Sequence, residues 1–242
     1  MHALKLATAV AILISAAACG GSSMAQATAK AEAPEKQFAV TPSGVMKVAF
    51  VVSDQATLID IVGPMQTFDQ VQSPGSSGFQ TYTISETRKP IKSGGLTIVP
   101  DYTFADAPEA DIVVVGAQTG SSEPYLDYIR AMAAKGKLML SICTGVSKFA
   151  EAGILDGLQA TSHHDYVDGF EKRYPKTKWI RDRAYVHSAP MIYTAGGEMS
   201  GVELALHISE LYFGRDVAVK TARYMEYRGP NWLPAGFSYG AN

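Results

Sequence analysis

Lys137-Leu-Met-Leu-Ser-Ile-Cys-Thr-Gly-Val-Ser147 holds two periodicities with one cysteine between them. Leu138 to Ile142 is a short apolar run, as expected of a buried strand in a parallel sheet. After Cys143, Thr144 and Gly145, the residues Val146, Phe149, Ala150 and Ile154 repeat at helical spacing. A strand that turns into a helix at a single cysteine is the geometry of a nucleophile elbow. The thiol stands above the carboxyl edge of the sheet, and the next helix's N-terminus favours its thiolate. The competing reading is a small core residue, because free cysteine is among the most buried residue types. Ser141 occupies the place where the elbow pattern usually has its first glycine.

Strands and helices alternate outward from this stretch. Val45 to Val52 reads as a first strand, Asp54 to Asp60 as a loop, and a helix is expected from Gly63-Pro64 to about Val71. Ser73 to Gly78 is a loop, Phe79 to Ser85 a half-buried strand, and Gly94 to Pro100 a short edge segment. Asp111 to Gly116 is a second buried strand, followed by an amphipathic helix over Glu123 to Ala134. Beyond the elbow, a short strand is expected over Gly157 to Thr161 and a helix over Tyr166 to Tyr174. Paired strands follow over Arg181 to Ser188 and Met191 to Ala195. The last helices span Ser200 to Phe213 and Arg215 to Tyr227. This order implies an α/β layered domain with a mainly parallel sheet over residues 45–228, and a loosely packed tail over 229–242. Ligands of such sheets bind at the carboxyl ends of the strands. The loops Gln55 to Gly63 and Gly116 to Gly120 meet the Cys143 elbow there.

Composition narrows the function. Of 242 residues 47% are hydrophobic and 18% charged, with a net charge of −2, which suits a globular domain and disfavours nucleic acid or an acidic membrane surface as partner. Residues 1–27 read as an export signal: Lys5, an apolar run from Leu6 to Ile14, then small residues. Ser15-Ala-Ala-Ala-Cys19-Gly resembles a bacterial lipoprotein lipobox, with Cys19 as the lipidated mature N-terminus. Ala25-Gln-Ala27 offers an ordinary cleavage site as the alternative. A periplasmic chain is expected, touching a membrane only through that anchor, with 28–44 as its tether. Without residues 1–18, Lys+Arg falls to 20 against 23 acids, a net charge of −3. Cys143 is then a lone thiol in an oxidising compartment.

Ser-Ile-Cys143-Thr-Gly, Ala152-Gly-Ile-Leu-Asp-Gly157, Ala160-Thr-Ser-His163, Tyr193-Thr-Ala-Gly-Gly197 and Ser200-Gly-Val-Glu-Leu-Ala-Leu-His207 occur in an order that resembles the ThiJ/PfpI superfamily. With Leu58-Ile-Asp60-Ile-Val-Gly-Pro64, they are similar to isonitrile hydratases and equally to the amidase-like sensor domains of AraC-type regulators. The 242 residues hold no helix-turn-helix pattern, and an exported chain does not suit a regulator. The resemblance implies a flavodoxin-like sandwich, usually a homodimer. It implies Cys143 as nucleophile, Asp60 in the first strand-to-helix loop as acid/base, Thr144 beside the thiol, and a small-molecule substrate.

Isonitrile hydration is the most concrete reaction. It needs a nucleophile of lowered pKa, a proton-transfer group, and donors such as the Thr144 and Gly145 amides. The apolar neighbours Ile59, Ile61 and Val62 would raise the Asp60 pKa by desolvation. Asp60 as a helix cap is the plain alternative. Other branches carry His after the cysteine. Thr144 stands there, which weakens a glyoxalase- or deglycase-like reading. A ligand-binding or redox-sensing protein is the non-catalytic alternative.

His163 is expected near the pocket. Adjacent His163 and His164 are expected to diverge, and no Cys/His spacing completes a metal site, so neither metal nor cofactor is expected. Gly116, Gly145, Gly196 and Gly197 would let backbone approach the site, or serve as turn residues. Glu198 and Met199 stand where small or β-branched residues are common, altering the pocket's shape.

Overall fold

The structure, a computed structural model, describes residues 44–71 and 78–232. The expected export signal with Cys19, most of the tether, the 73–77 part of the expected loop and the tail beyond Trp232 lie outside the described residues. No helix among the described residues is long and apolar enough to cross a membrane.

Strands β1 (Met46–Val51), β2 (Phe79–Ser85), β5 (Tyr102–Thr103), β6 (Ile112–Val115), β7 (Leu138–Ser141), β10 (Tyr185–Ala189) and β11 (Ile192–Ala195) form one seven-stranded sheet in the order β10-β11-β7-β6-β1-β2-β5. Every pairing is parallel except β10 with β11. Alternation along β6 shows why its sequence is apolar throughout. Ile112 and Val114 face one core, and Val113 and Val115 the other, as period-two side chains must in a doubly covered sheet. Helices α1 (Leu58–Asp69), α5 (Ser200–Phe213) and α6 (Arg215–Tyr224) lie on the first side. Helices α2 (Glu123–Ala134), α3 (Val146–Glu151) and α4 (Val167–Arg173) lie on the second. This is the flavodoxin-like three-layer α/β sandwich expected from the alternation.

Three expectations change. The first helix begins at Leu58, with Thr57 extended (φ −71°, ψ 113°) as its N-cap, so Pro64 lies inside it. Pro64 cannot donate to the Asp60 carbonyl one turn back, and the helix runs on through that missing bond to Asp69. The Gly94–Pro100 segment belongs to a separate hairpin, β3 (Ile91–Ser93) with β4 (Leu96–Ile98), turning at Gly94 and Gly95, both at positive φ. The short strand over 157–161 narrows to β8 (Gln159–Ala160), paired with β9 (Lys178–Trp179) outside the main sheet.

The start of the tail is not loosely packed. Trp232 is buried against Val202, Leu206, Ala218 and Ala222. The Arg215 guanidinium lies 4.5 Å over its ring. Buried Glu203 accepts from the Tyr227 hydroxyl at 2.8 Å and from the Asn231 amide at 2.5 Å. Trp232→Ala should therefore cost about 3–5 kcal/mol, read as a lower urea midpoint at unchanged m-value. A wild-type midpoint would show that the ring does not hold the tail.

Candidate active site

Register brings the site together. Val51 pairs with Val115, Val115 with Ser141, and Ser141 with Thr194, so four adjacent parallel strands end level. The segments leaving them carry Asp60, Gly116, Cys143 and Gly196.

Cys143 has φ +57°, the left-handed region that a non-glycine residue enters only where its surroundings force it. Those surroundings are explicit. Its N–H donates to the Gly196 carbonyl at 2.8 Å, and its carbonyl accepts from the Ser162 hydroxyl at 2.9 Å. Cys143–Gly145 is a single 3₁₀ turn leading into α3. Gly145 is needed for space, since an added Cβ would lie 2.3 Å from the Val115 oxygen and 2.6 Å from that of Gly116. Gly116 in turn closes on Asp60, whose Cβ would lie 2.7 Å from a Cβ added there. None of Gly116, Gly145, Gly196 and Gly197 has positive φ. They serve close approach, not turn conformation.

Asp60 is fully buried in the first turn of α1, not in a loop. Its Oδ2 accepts the Ala117 N–H at 2.8 Å, and the Thr57 N–H donates to the Ala117 carbonyl at 2.8 Å. Its Oδ1 has no hydrogen-bond partner. The carboxylate caps no amide of its own helix, which removes the capping reading. Burial pushes its pKa up to about 6, against the pull of the Ala117 amide and with a push from the Glu198 charge. Of the expected neighbours Ile61 is buried, but Val62 is 47% exposed and contributes no apolar cover.

The thiol departs from expectation. Burial, then the charges of Asp60 and Glu198, raise the Cys143 pKa to about 12, while the amide and hydroxyl of Thr144 pull it down. A six-residue helix behind a 3₁₀ turn does not outweigh desolvation beside a carboxylate. Burial thus works against the thiolate that the helix N-terminus was expected to favour. Nor are the two amides free for a developing charge: Gly145 N–H donates to the Ile142 carbonyl at 2.9 Å and Thr144 N–H is engaged with the sulfur.

His163 lies at the site's rim, its Cδ2 3.0 Å from where a Cβ on Gly197 would stand. The two histidines do not diverge: their rings stack with centroids 4.5 Å apart and planes 22° apart. With Asp165 they bring three ligand-type groups within 4.8 Å. His163 Nδ1 already accepts the Asp165 N–H at 3.3 Å, which takes up one of that ring's two nitrogens. The cluster is a poor fit to a single ion. A cavity of about 290 Å³ adjoins the elbow, bounded by Ser162, His164, Arg183, Gly196, Gly197 and Ser200. Ser162 and the Ala117 amide were not singled out in the sequence. Ser162 sits beside His163 in the Thr-Ser-His run, but an amide contact leaves no signal in residue type.

Sheet order and elbow define the class: a flavodoxin-like α/β protein in which an interior strand of the sheet, β7, ends in a cysteine elbow. The DJ-1/PfpI family model matches residues 46–211, and the chain belongs to that family, as the ThiJ/PfpI motif order implied. It is similar to the isonitrile hydratase of Pseudomonas putida, 28% identical over 191 residues, 75% of this chain and 78% of that one. It is also similar to the HTH-type transcriptional regulator GbdR of Pseudomonas aeruginosa, 25% identical over 188 residues, 74% of this chain. The match spans 50% of the regulator's length. A solved ThiJ/PfpI family protein from Pseudomonas syringae shares the fold with TM-score 0.65 at 23% identity, covering 88% of this chain and 87% of that one.

Proposed function

We propose that the chain is a cysteine-dependent hydratase that converts an isonitrile to an N-substituted formamide. The observation that carries this is the pairing across Gly116, which closes on Gly145 of the elbow and on Asp60: a buried thiol beside a buried carboxyl whose Oδ1 is unbonded and whose pKa of about 6 lets it hold or release a proton near neutrality. An isonitrile carbon must gain both a nucleophile and a proton, and a neutral thiol brings both. The Cys143 sulfur bonds to that carbon while its proton passes through Asp60 to the same carbon, giving the thioimidate R–N=CH–S–Cys143. Asp60 then draws a proton from water as its oxygen bonds to the carbon. The C–S bond breaks, one water proton ends on nitrogen, and the other returns to sulfur. Similarity to the Pseudomonas putida isonitrile hydratase supports the same reaction.

The test is formamide production from a panel of isocyanides. Wild-type protein is expected to turn over at least one, and Cys143→Ala none. Equal rates for the two proteins would overturn the proposal. The pKa of about 12 at Cys143 favours a second reading, a ligand-binding sensor in which the thiol never ionises. That reading predicts saturable binding without turnover.

Two further parts of the proposal concern setting. Residues 1–27 would carry the chain to the periplasm, with lipid on Cys19. A second copy would cover the exposed apolar side chains of Val62, Leu96 and Val99.

A further inference from the structure

We propose that Gln118 is a positioning residue of the Cys143 site: by fastening the loop after β6 to the end of β1, it holds the Ala117 amide on Asp60 Oδ2 and so leaves Oδ1 as the oxygen that takes up the proton. The proton-transfer role rests on the hydratase reading; the orientation of the carboxyl does not.

The loop after β6 has to meet several atoms at once. Gly116 comes close to both Asp60 and the Gly145 of the elbow. Ala117 donates its N–H to Asp60 Oδ2 at 2.8 Å, and its carbonyl accepts the Thr57 N–H at 2.8 Å. β6 ends at Val115, so the sheet ladder does not carry this stretch. One side chain supplies the anchorage. Gln118 Oε1 accepts the Ser53 N–H at 2.5 Å. Its Nε2 uses both protons, donating to the Val51 carbonyl at 3.0 Å and to the Tyr125 hydroxyl at 2.7 Å. Thr119 extends the seam: its N–H and hydroxyl donate to the Asp54 carbonyl at 3.0 Å and 2.8 Å, and its carbonyl accepts from the Ser53 hydroxyl at 2.5 Å.

Gln118 is therefore the junction of three elements. Val51 ends β1, Tyr125 is buried in the first turn of α2, and the Gln118 amide joins both to the loop that carries Ala117. An amide offers an acceptor and two donors from one planar group. A leucine of similar size would leave the Ser53 N–H, the Val51 carbonyl and the Tyr125 hydroxyl without this partner, and the loop would shift to find others. A displacement of about 1 Å at the Ala117 amide is enough to cost a positioned reaction about 10²-fold. The titratable groups that bear on Asp60 are Glu198, in the turn into α5, and Cys143, on which the Asp60 charge itself acts. Substitution at Gln118 leaves both in place.

The titration of Asp60 reads the proposal without any substrate. Full-length protein is labelled with ¹³C at its aspartate carboxyls, and the Asp60 signal is identified by its loss in Asp60→Asn. Its midpoint in wild type should be about 6. The Ala117 amide holds that midpoint down, so Gln118→Leu should raise it by on the order of one unit. Tyr125→Phe removes a single bond, should raise it by less, and serves if Gln118→Leu does not fold. Trp232→Ala loosens the fold away from the site and should leave the midpoint where it is. With an isocyanide that wild type hydrates, Gln118→Leu should lower kcat about 10²-fold with KM little changed. A midpoint unmoved in Gln118→Leu, or in Tyr125→Phe where only that variant folds, overturns the proposal. So does a midpoint moved equally by Trp232→Ala, or a wild-type kcat in Gln118→Leu. A midpoint that moves as expected, in a protein whose wild type hydrates no isocyanide, would sink the hydratase reading and leave the positioning of Asp60 standing.

Discussion

Asp60→Asn is expected to lose turnover and gain stability at the same time. The carboxyl is fully buried, and its folded pKa of about 6 stands above the ordinary 3.8 of the free group. A raised carboxyl pKa means that the folded state prefers the neutral form. The stability this gives is fully present below about pH 3.8 and is lost as pH rises through about 6. Two pKa units correspond to about 3 kcal/mol, an upper figure because asparagine must seat an NH₂ where Oδ1 finds no partner. The neutral amide escapes the penalty, so the variant should unfold at higher urea than wild type at pH 7.5, with the difference vanishing near pH 4. Its hydration rate should fall about 10²–10⁴-fold, the usual cost of removing a proton-transfer group. Wild-type turnover in the variant would remove Asp60 from the chemistry. A loss of stability at pH 7.5 would show that the carboxylate has a favourable partner, contrary to its unbonded oxygen.

Gly145→Ala should be the most damaging single methyl at the site. The new Cβ would meet two backbone carbonyls, at 2.3 Å and 2.6 Å, and backbone has no rotamer with which to yield. The end of β6 and the elbow would have to part, carrying Gly116 away from Asp60. A stability loss of about 2–4 kcal/mol is expected, with loss of turnover even where the protein remains folded. Gly153→Ala is the control, because φ is +79° there but nothing stands within 4 Å of the added Cβ. It should cost about 1 kcal/mol and leave activity intact. Equal effects at the two positions would show that backbone conformation, not close approach, governs the elbow.

Much of this arrangement was legible in the chain. Leu138 to Ser147 named both the strand and the turn, because a buried parallel strand cannot be written without an unbroken apolar run. Asp60 was legible through its motif, though its place was not. Pro64 suggested a helix start, while the true start at Leu58 leaves proline inside and Asp60 in the first turn. The thiol's state was not legible. Its pKa depends on depth and on a carboxylate 83 positions away in sequence, and neither is written in the local pattern. Ser162 and the Ala117 amide escaped for a similar reason: each acts through a single hydrogen bond that tertiary contact alone creates. Stacking of His163 on His164 reversed a rule of thumb for adjacent side chains, because the residues sit at a bend entering a 3₁₀ turn and not on a strand.

The proposed hydration requires a covalent bond to Cys143. Acid quench of the protein in its first turnover with an isocyanide, followed by mass measurement of the Cys143 peptide, tests it most directly. The peptide should gain the mass of one isocyanide molecule, with nothing lost, and should shed it in step with release of the formamide. Formamide appearing with no mass added at Cys143, or equally fast in Cys143→Ala, would contradict the account.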